Sequence, residues 1–200
     1  RLADEATPDD VVTLVYTSGT TGPPKGAMLN NANVDFACQV IADGGGIYQP
    51  PPTPDDVILS YLPLCHVAER AITTWTNARA GVVVHFAESI ETVTTDLREV
   101  QPTLFFAVPR IWEKLKAGIE IRMSSASRLK KANYALWMRL GRSMAEQMLR
   151  NGGRHTLKTR IIYAIGYVFL YRALQDRIGL RRVRAASSAA APIAPEVLFF

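Results

Sequence analysis

Eleven consecutive residues carry the densest chemistry in this sequence: Tyr16-Thr17-Ser18-Gly19-Thr20-Thr21-Gly22-Pro23-Pro24-Lys25-Gly26. Glycines let a backbone approach a ligand closely and adopt positive φ. The hydroxyls of Thr17, Ser18, Thr20 and Thr21 offer donors to phosphate oxygens, and Lys25 adds a mobile positive charge. A loop of this kind leaving a strand can form a nest for a polyphosphate. It is not the G-x-x-x-x-G-K-[ST] loop, because Pro24 stands five residues after Gly19 and Gly26 follows Lys25. A bare Thr-Ser-Gly would read as an unliganded turn; the full string reads as a phosphate site.

Three further segments hold candidate chemistry: Leu62-Pro63-Leu64-Cys65-His66-Val67-Ala68-Glu69-Arg70, Val108-Pro109-Arg110-Ile111-Trp112-Glu113-Lys114-Leu115 and Ser188-Ala189-Ala190-Ala191-Pro192. His66 begins a helix, and an isolated histidine there reads as a cap or a core residue. Glu69 and Arg70 read either as a local structural pair or as a pair orienting a pocket. Arg110 and Trp112 read as packing residues at a helix start, and no role is assigned to His85 or His155. Cys38 and Cys65 form no metal or disulfide pattern, so a reduced cytosolic setting is expected.

These segments need elements to position them. Val11 to Tyr16 reads as a buried strand, a short apolar run rich in β-branched residues, leading into a loop over 17–26. Asn30 or Asn31 caps a helix reaching about Ala42. Asp43 to Asp56, rich in glycine and proline, is expected as a surface loop. Strands follow at 57–61, 82–86 and 103–108, with helices to about Ala80 and from a Ser89 cap to Val100. Pro109 suits a first helical turn. From Ile111 to about Ile178 the pattern is helical, broken at Asn151-Gly152-Gly153, and a new helix starts near Thr156. A short strand over 182–187 and a helix opened by Pro195 complete the chain. Strands alternating with helices predict an α/β fold with a mostly parallel, helix-flanked sheet.

Composition bounds the rest. Of 200 residues 48% are hydrophobic and 20% charged, which excludes global disorder. No apolar run approaches the ~18–20 residues of a membrane span. The net charge of +5 hides an asymmetry. Residues 1–109 hold 5 Lys/Arg and 13 Asp/Glu, whereas residues 110–184 hold 18 Lys/Arg and 4 Asp/Glu. The basic stretch is either a solvated helix surface or a surface for phosphates. Its bases interleave with Leu136-Trp137-Met138 and Ile161-Ile162-Tyr163, a pattern that can lie on an anionic bilayer. No nucleic-acid module signature is present, and no nucleic acid is expected as a partner. The absence of an initiating Met, and an end within a helical turn, lead us to expect a piece of a longer protein.

The eleven-residue string closely resembles the phosphate-loop signature of the adenylate-forming (AMP-binding) superfamily. The Leu62–Arg70 segment is similar to the LPLxHxxER segment of long-chain fatty acyl-CoA synthetases, Val108–Leu115 to their VPRxWEKL segment, and Ser188–Pro192 to their SGGAP or SGAAP segment. The matches come in family order and cover residues 11–200. The resemblance implies one part of the large AMP-binding domain: an α/β region over 11–110, basic helices over 111–180, and a strand and helix start over 181–200. By the same resemblance, the family's C-terminal catalytic domain is expected to lie outside these residues.

By the same resemblance the chemistry is ATP- and Mg²⁺-dependent activation of a long-chain fatty acid to an acyl-adenylate, then transfer to CoA. A fatty acyl-AMP ligase, another carboxylate-adenylating enzyme, or a non-catalytic remnant binding nucleotide or membrane are the alternatives. Thr17, Ser18, Gly19, Thr20, Thr21, Gly22 and Lys25 would cradle the phosphates, Thr17 and Thr20 by direct contact. His66, Glu69 and Arg70 would line the acyl pocket, and Ala189, Ala190, Ala191 and Pro192 would flank adenine and acyl chain. No catalytic residue or metal ligand is assignable, since the family's catalytic Lys lies outside this sequence. These 200 residues alone are expected to be inactive. From cysteine usage and the charge pattern, the expected location is cytoplasmic, with peripheral contact to the inner face of a membrane through the basic helices of 111–182. One departure stands out: the family usually carries Gly at the place of Ala189, and often at Ala190. An added methyl costs nothing at negative φ and more at positive φ.

Overall fold

A computed structural model describes residues 5–17, 23–43 and 46–198. Strands β1 (Val11–Thr17) and β2 (Lys25–Asn30) form an antiparallel pair. A second sheet has four strands in the order β4-β3-β5-β6, formed by β3 (Val57–Ser60), β4 (Val83–Phe86), β5 (Leu104–Ala107) and β6 (Ala185–Ser188). β3 runs parallel to both β4 and β5. Helices connect the parallel strands, as crossover connections require. The expected parallel, helix-flanked α/β fold is therefore present.

Two compact units divide the chain. The first comprises residues 1–96, 102–105 and 183–185, the second residues 97–101, 106–182 and 186–200. In the first, Ile58, Leu59, Tyr61, Val82, Val93, Leu104 and Phe105 form the core, and the Tyr61 and Phe105 rings lie 6.4 Å apart. Helix α1 (Asn31–Ile41) starts at Asn30, whose side chain accepts from the Asn33 N–H while Asn33 returns a bond to the Asn30 N–H. Of the two expected caps, Asn30 and Asn31, it is Asn30 that caps the helix, through a reciprocal box with Asn33. After β3 the chain turns through Pro63 and Leu64 into α2 (Val67–Glu69), a π-helical turn π1 (Arg70–Trp75) and α3 (Thr76–Ala80). The Thr76 N–H and hydroxyl both reach back to the Ala71 carbonyl, and Thr73 Oγ1 donates to the Glu69 carbonyl. Gly81, at φ 70°, ends this segment in the left-handed conformation that glycine adopts freely.

The second unit holds the helices α4 (Val93–Val100, its last residues), α5 (Pro109–Ser124), α6 (Arg128–Arg150), α7 (Leu157–Gly166), a second π turn π2 (Tyr167–Tyr171), α8 (Arg172–Ile178) and α9 (Pro195–Leu198). Pro109 occupies the first turn of α5, and the Thr156 side chain caps α7 by accepting from the Thr159 N–H. α6 and α7–π2 approach closely through Gly166. A Cβ there would meet Tyr171 Cε2 at 2.6 Å and Trp137 Cε3 at 2.8 Å. The Tyr171 hydroxyl donates to the Trp137 carbonyl at 2.6 Å.

Five local expectations change. β1 is not buried: Val11, Val12, Leu14 and Tyr16 are exposed and only Val15 is enclosed, because the strand sits in a two-stranded pair rather than inside the parallel sheet. The segment after Gly26 is strand β2, whose partner β1 supplies the hydrogen bonds that its Gly-Ala-Met-Leu pattern alone does not reveal. The loop over 43–56 buries Tyr48, Pro52 and Asp56. Ser89 holds a turn, accepting at Oγ from the Thr92 N–H, and α4 begins at Val93. The helical stretch also breaks at residues 125–127, where the Ser124 and Ser125 hydroxyls bond back to carbonyls of their own last turn.

Candidate nucleotide and acyl site

β1 and β2 pin both ends of the hydroxyl-glycine string. Thr17 pairs with Lys25 and Tyr16 with Gly26 across the antiparallel ladder, so the connecting residues start and finish on neighbouring strands. Gly26 lies closely under a ring: a Cβ there would be 3.1 Å from Tyr16 Cζ, so the side chain would have to shift by a few tenths of an ångström. Lys25 is exposed at the start of β2. Ser18, Gly19, Thr20, Thr21, Gly22 and the Thr17 side chain lie outside the described residues.

One guanidinium ties this strand pair to the second motif. Arg70 Nη1 donates to Thr13 Oγ1 and, at 3.3 Å, to the Leu14 carbonyl of β1. Its Nε donates to the Leu64 carbonyl at 2.5 Å. The planar fork of Arg suits such convergent acceptors in a way an ammonium does not. The neighbouring Glu69 turns the other way. It is 3% exposed, and its carboxylate accepts from Ser60 Oγ at 2.5 Å and from the Leu62 N–H at 3.2 Å. Burial pushes this carboxyl above the usual range, opposed by those hydrogen bonds. Glu69 and Arg70 are thus two separate braces on the 62–66 turn, one toward β3 and one toward β1.

His66 sits on that braced turn as the N-cap of α2, with its Nδ1 accepting from the Ala68 N–H at 3.3 Å. Acceptance at Nδ1 assigns the proton of the neutral ring to Nε2. The residue is exposed, and so are Leu64, Cys65 and Val67 around it. The turn therefore presents an N–H donor amid exposed apolar side chains.

Ala189, Ala190, Ala191 and Pro192 follow β6 and are exposed, in the second unit. Ala190 has φ 75°, the left-handed region that Cβ disfavours. The backbone thus takes a glycine conformation at a place where this chain has alanine. Trp112, expected as a packing residue, donates its indole N–H to the Ala107 carbonyl at 3.2 Å. Among the described residues no group of three His, Cys, Asp or Glu side chains could hold a metal ion.

Asp56 and Arg184 were not legible as site-positioning residues. Arg184 meets Asp56 in a two-pronged pair, Nε to Oδ1 at 2.8 Å and Nη2 to Oδ2 at 2.6 Å. Thr103 Oγ1 and the Thr53 N–H also donate to this carboxylate. Asp56 immediately precedes β3, and Arg184 immediately precedes β6. No local pattern joins residues 128 positions apart.

The AMP-binding enzyme family matches residues 1–200, and the chain belongs to that family. It is similar to fadD11 of Mycobacterium tuberculosis, 33% identical over 204 residues that cover 96% of this chain and 33% of that protein. It is also similar to long-chain-fatty-acid–CoA ligase ACSBG2 of Xenopus laevis, 31% identical over 206 residues, 100% of this chain and 27% of that one. The chain thus spans a third or less of these relatives' length. Among solved structures, the adenylation domain of a carboxylate reductase from Mycobacterium chelonae superposes with a TM-score of 0.54 at 20% identity, over 95% of this chain and 24% of that one, a likeness of fold. The A-PCP didomain of a carboxylic acid reductase from Segniliparus rugosus, in complex with AMP, gives 0.50 at 28% identity over 96% and 22% of the two chains.

Proposed function

We propose that these residues form part of a long-chain fatty acid–CoA ligase. The enzyme activates the carboxylate with ATP to an acyl-adenylate, and the CoA thiol then displaces AMP. The observation that carries this reading is the strand pair holding Thr17 and Lys25 side by side, braced by Arg70 to the turn that presents His66. In adenylation the carboxylate attacks the α-phosphate and charge builds on the departing pyrophosphate. Preorganised donors and a cation lower that barrier electrostatically. Thr17, Ser18, Gly19, Thr20, Thr21, Gly22 and Lys25 would supply them, His66 would meet the acyl carboxylate, and Ala189–Pro192 would flank the adenine. Glu69 and Arg70 hold the turn in place.

ATP enters with Mg²⁺, and no residue of this chain is assigned to the ion. Residues 1–200 belong, in this reading, to one AMP-binding domain. Turnover is proposed for the whole protein, not for these residues alone. The similarity to the long-chain-fatty-acid–CoA ligase ACSBG2 supports the long-chain reading, and similarity to a ligase leaves the acceptor to experiment. Pyrophosphate–ATP exchange by the whole protein should depend on a long-chain fatty acid, and added CoA should yield the thioester. Exchange without thioester formation would make it an acyl-AMP ligase, and no acid-dependent exchange would sink the enzymatic reading.

A further inference from the structure

The basic stretch of this chain carries exposed apolar side chains unevenly. On α6 they are sparse: Leu129 and Leu136 share a face at i and i+7, two turns apart, and Leu149 lies on another side of the helix. Along α7 and into π2 they form a stripe. Leu157, Ile161, Ile165 and Val168 are 76%, 52%, 45% and 74% exposed and stand at i, i+4, i+8 and i+11, the spacing of a single helix face. The opposite side is occupied. Thr159 is 1% exposed, and Gly166 and Tyr171 pack on Trp137 of α6.

Charge frames this stripe with one sign. At about 100° per residue, Lys158 falls on one flank and Arg160 on the other, and both are exposed. Arg172 continues the line at the start of α8. The one acidic residue between 157 and 178 is Asp176, which pairs with Arg181 at 3.5 Å. An apolar ridge between cations complements an anionic lipid interface, where acyl chains take the ridge and headgroup phosphates take the bases. Among the described residues no helix is long and apolar enough to cross a membrane, so the contact would be in the plane of the interface.

We propose that the α7–π2 face, with Leu157, Ile161, Ile165 and Val168 between Lys158 and Arg160, docks the protein on an anionic bilayer surface. This narrows the site from the whole basic stretch to one face of one helix. It stands apart from the ligase reading, because its test reads binding and not turnover.

The whole protein is sedimented with vesicles of phosphatidylcholine alone and of phosphatidylcholine mixed with phosphatidylglycerol. Binding is expected on the anionic vesicles, weaker on the neutral ones, and reduced by salt. Ile161→Asp and Val168→Asp should each abolish it while leaving circular dichroism and Tm unchanged. Replacing Lys158 and Arg160 together by Gln should weaken partitioning roughly 20- to 30-fold, two charges at about fivefold each. No binding to anionic vesicles, or binding indifferent to these substitutions, overturns the proposal. If Val168→Asp instead dissociates a dimer, or lowers Tm, the ridge is covered by a second copy or by the protein's own chain, and the proposal is equally lost.

Discussion

Arg184 grips Asp56 through both carboxylate oxygens, at 2.8 and 2.6 Å, and also donates to the carbonyls of Pro50 and Pro51. Its guanidinium therefore closes the proline-rich loop and fixes the start of β3 with one planar group. The bidentate arrangement is the strong form of this interaction. The Arg184 guanidinium beside Asp56 holds that carboxyl well below the usual carboxylate range, with the Thr103 and Thr53 bonds adding to the effect against its burial.

Because its folded pKa is depressed, Asp56 contributes stability above the unfolded carboxylate pKa of about 4. That contribution is lost as pH falls from about 4 toward the folded value. Asp56→Asn should lower stability at neutral pH by about 2–3 kcal/mol, discounted from a fully buried pair because the guanidinium is partly exposed. Denaturant titrations of both proteins from neutral to acid pH check the sign: the gap must narrow below about pH 4. A gap independent of pH would mean that packing, not charge, makes Asp56 important.

Ala190 supplies a second test. Its φ of 75° costs a Cβ-bearing residue about 1–2 kcal/mol, whereas glycine costs about 0.5–1 kcal/mol in unfolded-chain entropy. Ala190→Gly should therefore raise stability by about 0.5–1 kcal/mol and Tm by a few degrees, about 2–3 °C. Ala189→Gly, at a residue outside the positive-φ region, should leave stability unchanged or lower it. Calorimetry on the two variants decides, and equal responses would remove the conformational explanation.

What the sequence made legible follows a physical divide. The Asn30 cap, Pro109 at a helix start, Thr156 and the glycines at 152–153 act within a few residues of their partners, and all lie where local pattern puts them. The motif residues stood out because unusual residue types are crowded together. Missing were relations set by tertiary pairing: β2, which exists through β1; the exposure of β1; and the Asp56–Arg184 pair. The π turns were equally hidden, since bonds such as Thr76 to Ala71 depend on the helix already being wound. Glu69 and Arg70 show the same limit, because adjacency in sequence implied a pair while each reaches a different strand.

Arg70 can be tested as a brace by a readout of place. Arg70→Met removes three donated bonds to Thr13, Leu14 and Leu64, and should lower stability by about 1–2 kcal/mol for a partly exposed charged donor. The loss should be local: amide hydrogen exchange should accelerate in β1 and β2 more than in β3 and β5. Arg70→Lys should rescue little, because one ammonium cannot reproduce the fork. Uniform acceleration across both sheets would show that Arg70 supports the unit as a whole rather than this strand pair.

His66 has two roles to separate, capping α2 and meeting an acyl carboxylate. Asn caps helices at least as well as His, so His66→Asn should keep stability within a few tenths of a kcal/mol, while His66→Ala should lose about 1 kcal/mol. Neither Asn nor Ala places an N–H where Nε2 now stands. If that donor meets the carboxylate as charge redistributes, both variants should lose fatty acid-dependent pyrophosphate exchange, on the order of 10²-fold, as for removal of one preorganised donor. The discriminating variant is Asn, which retains the cap and removes the donor. Full exchange activity in His66→Asn would reduce His66 to a helix cap, and the turn held by Glu69 and Arg70 would then need a different reason to be braced from both sides.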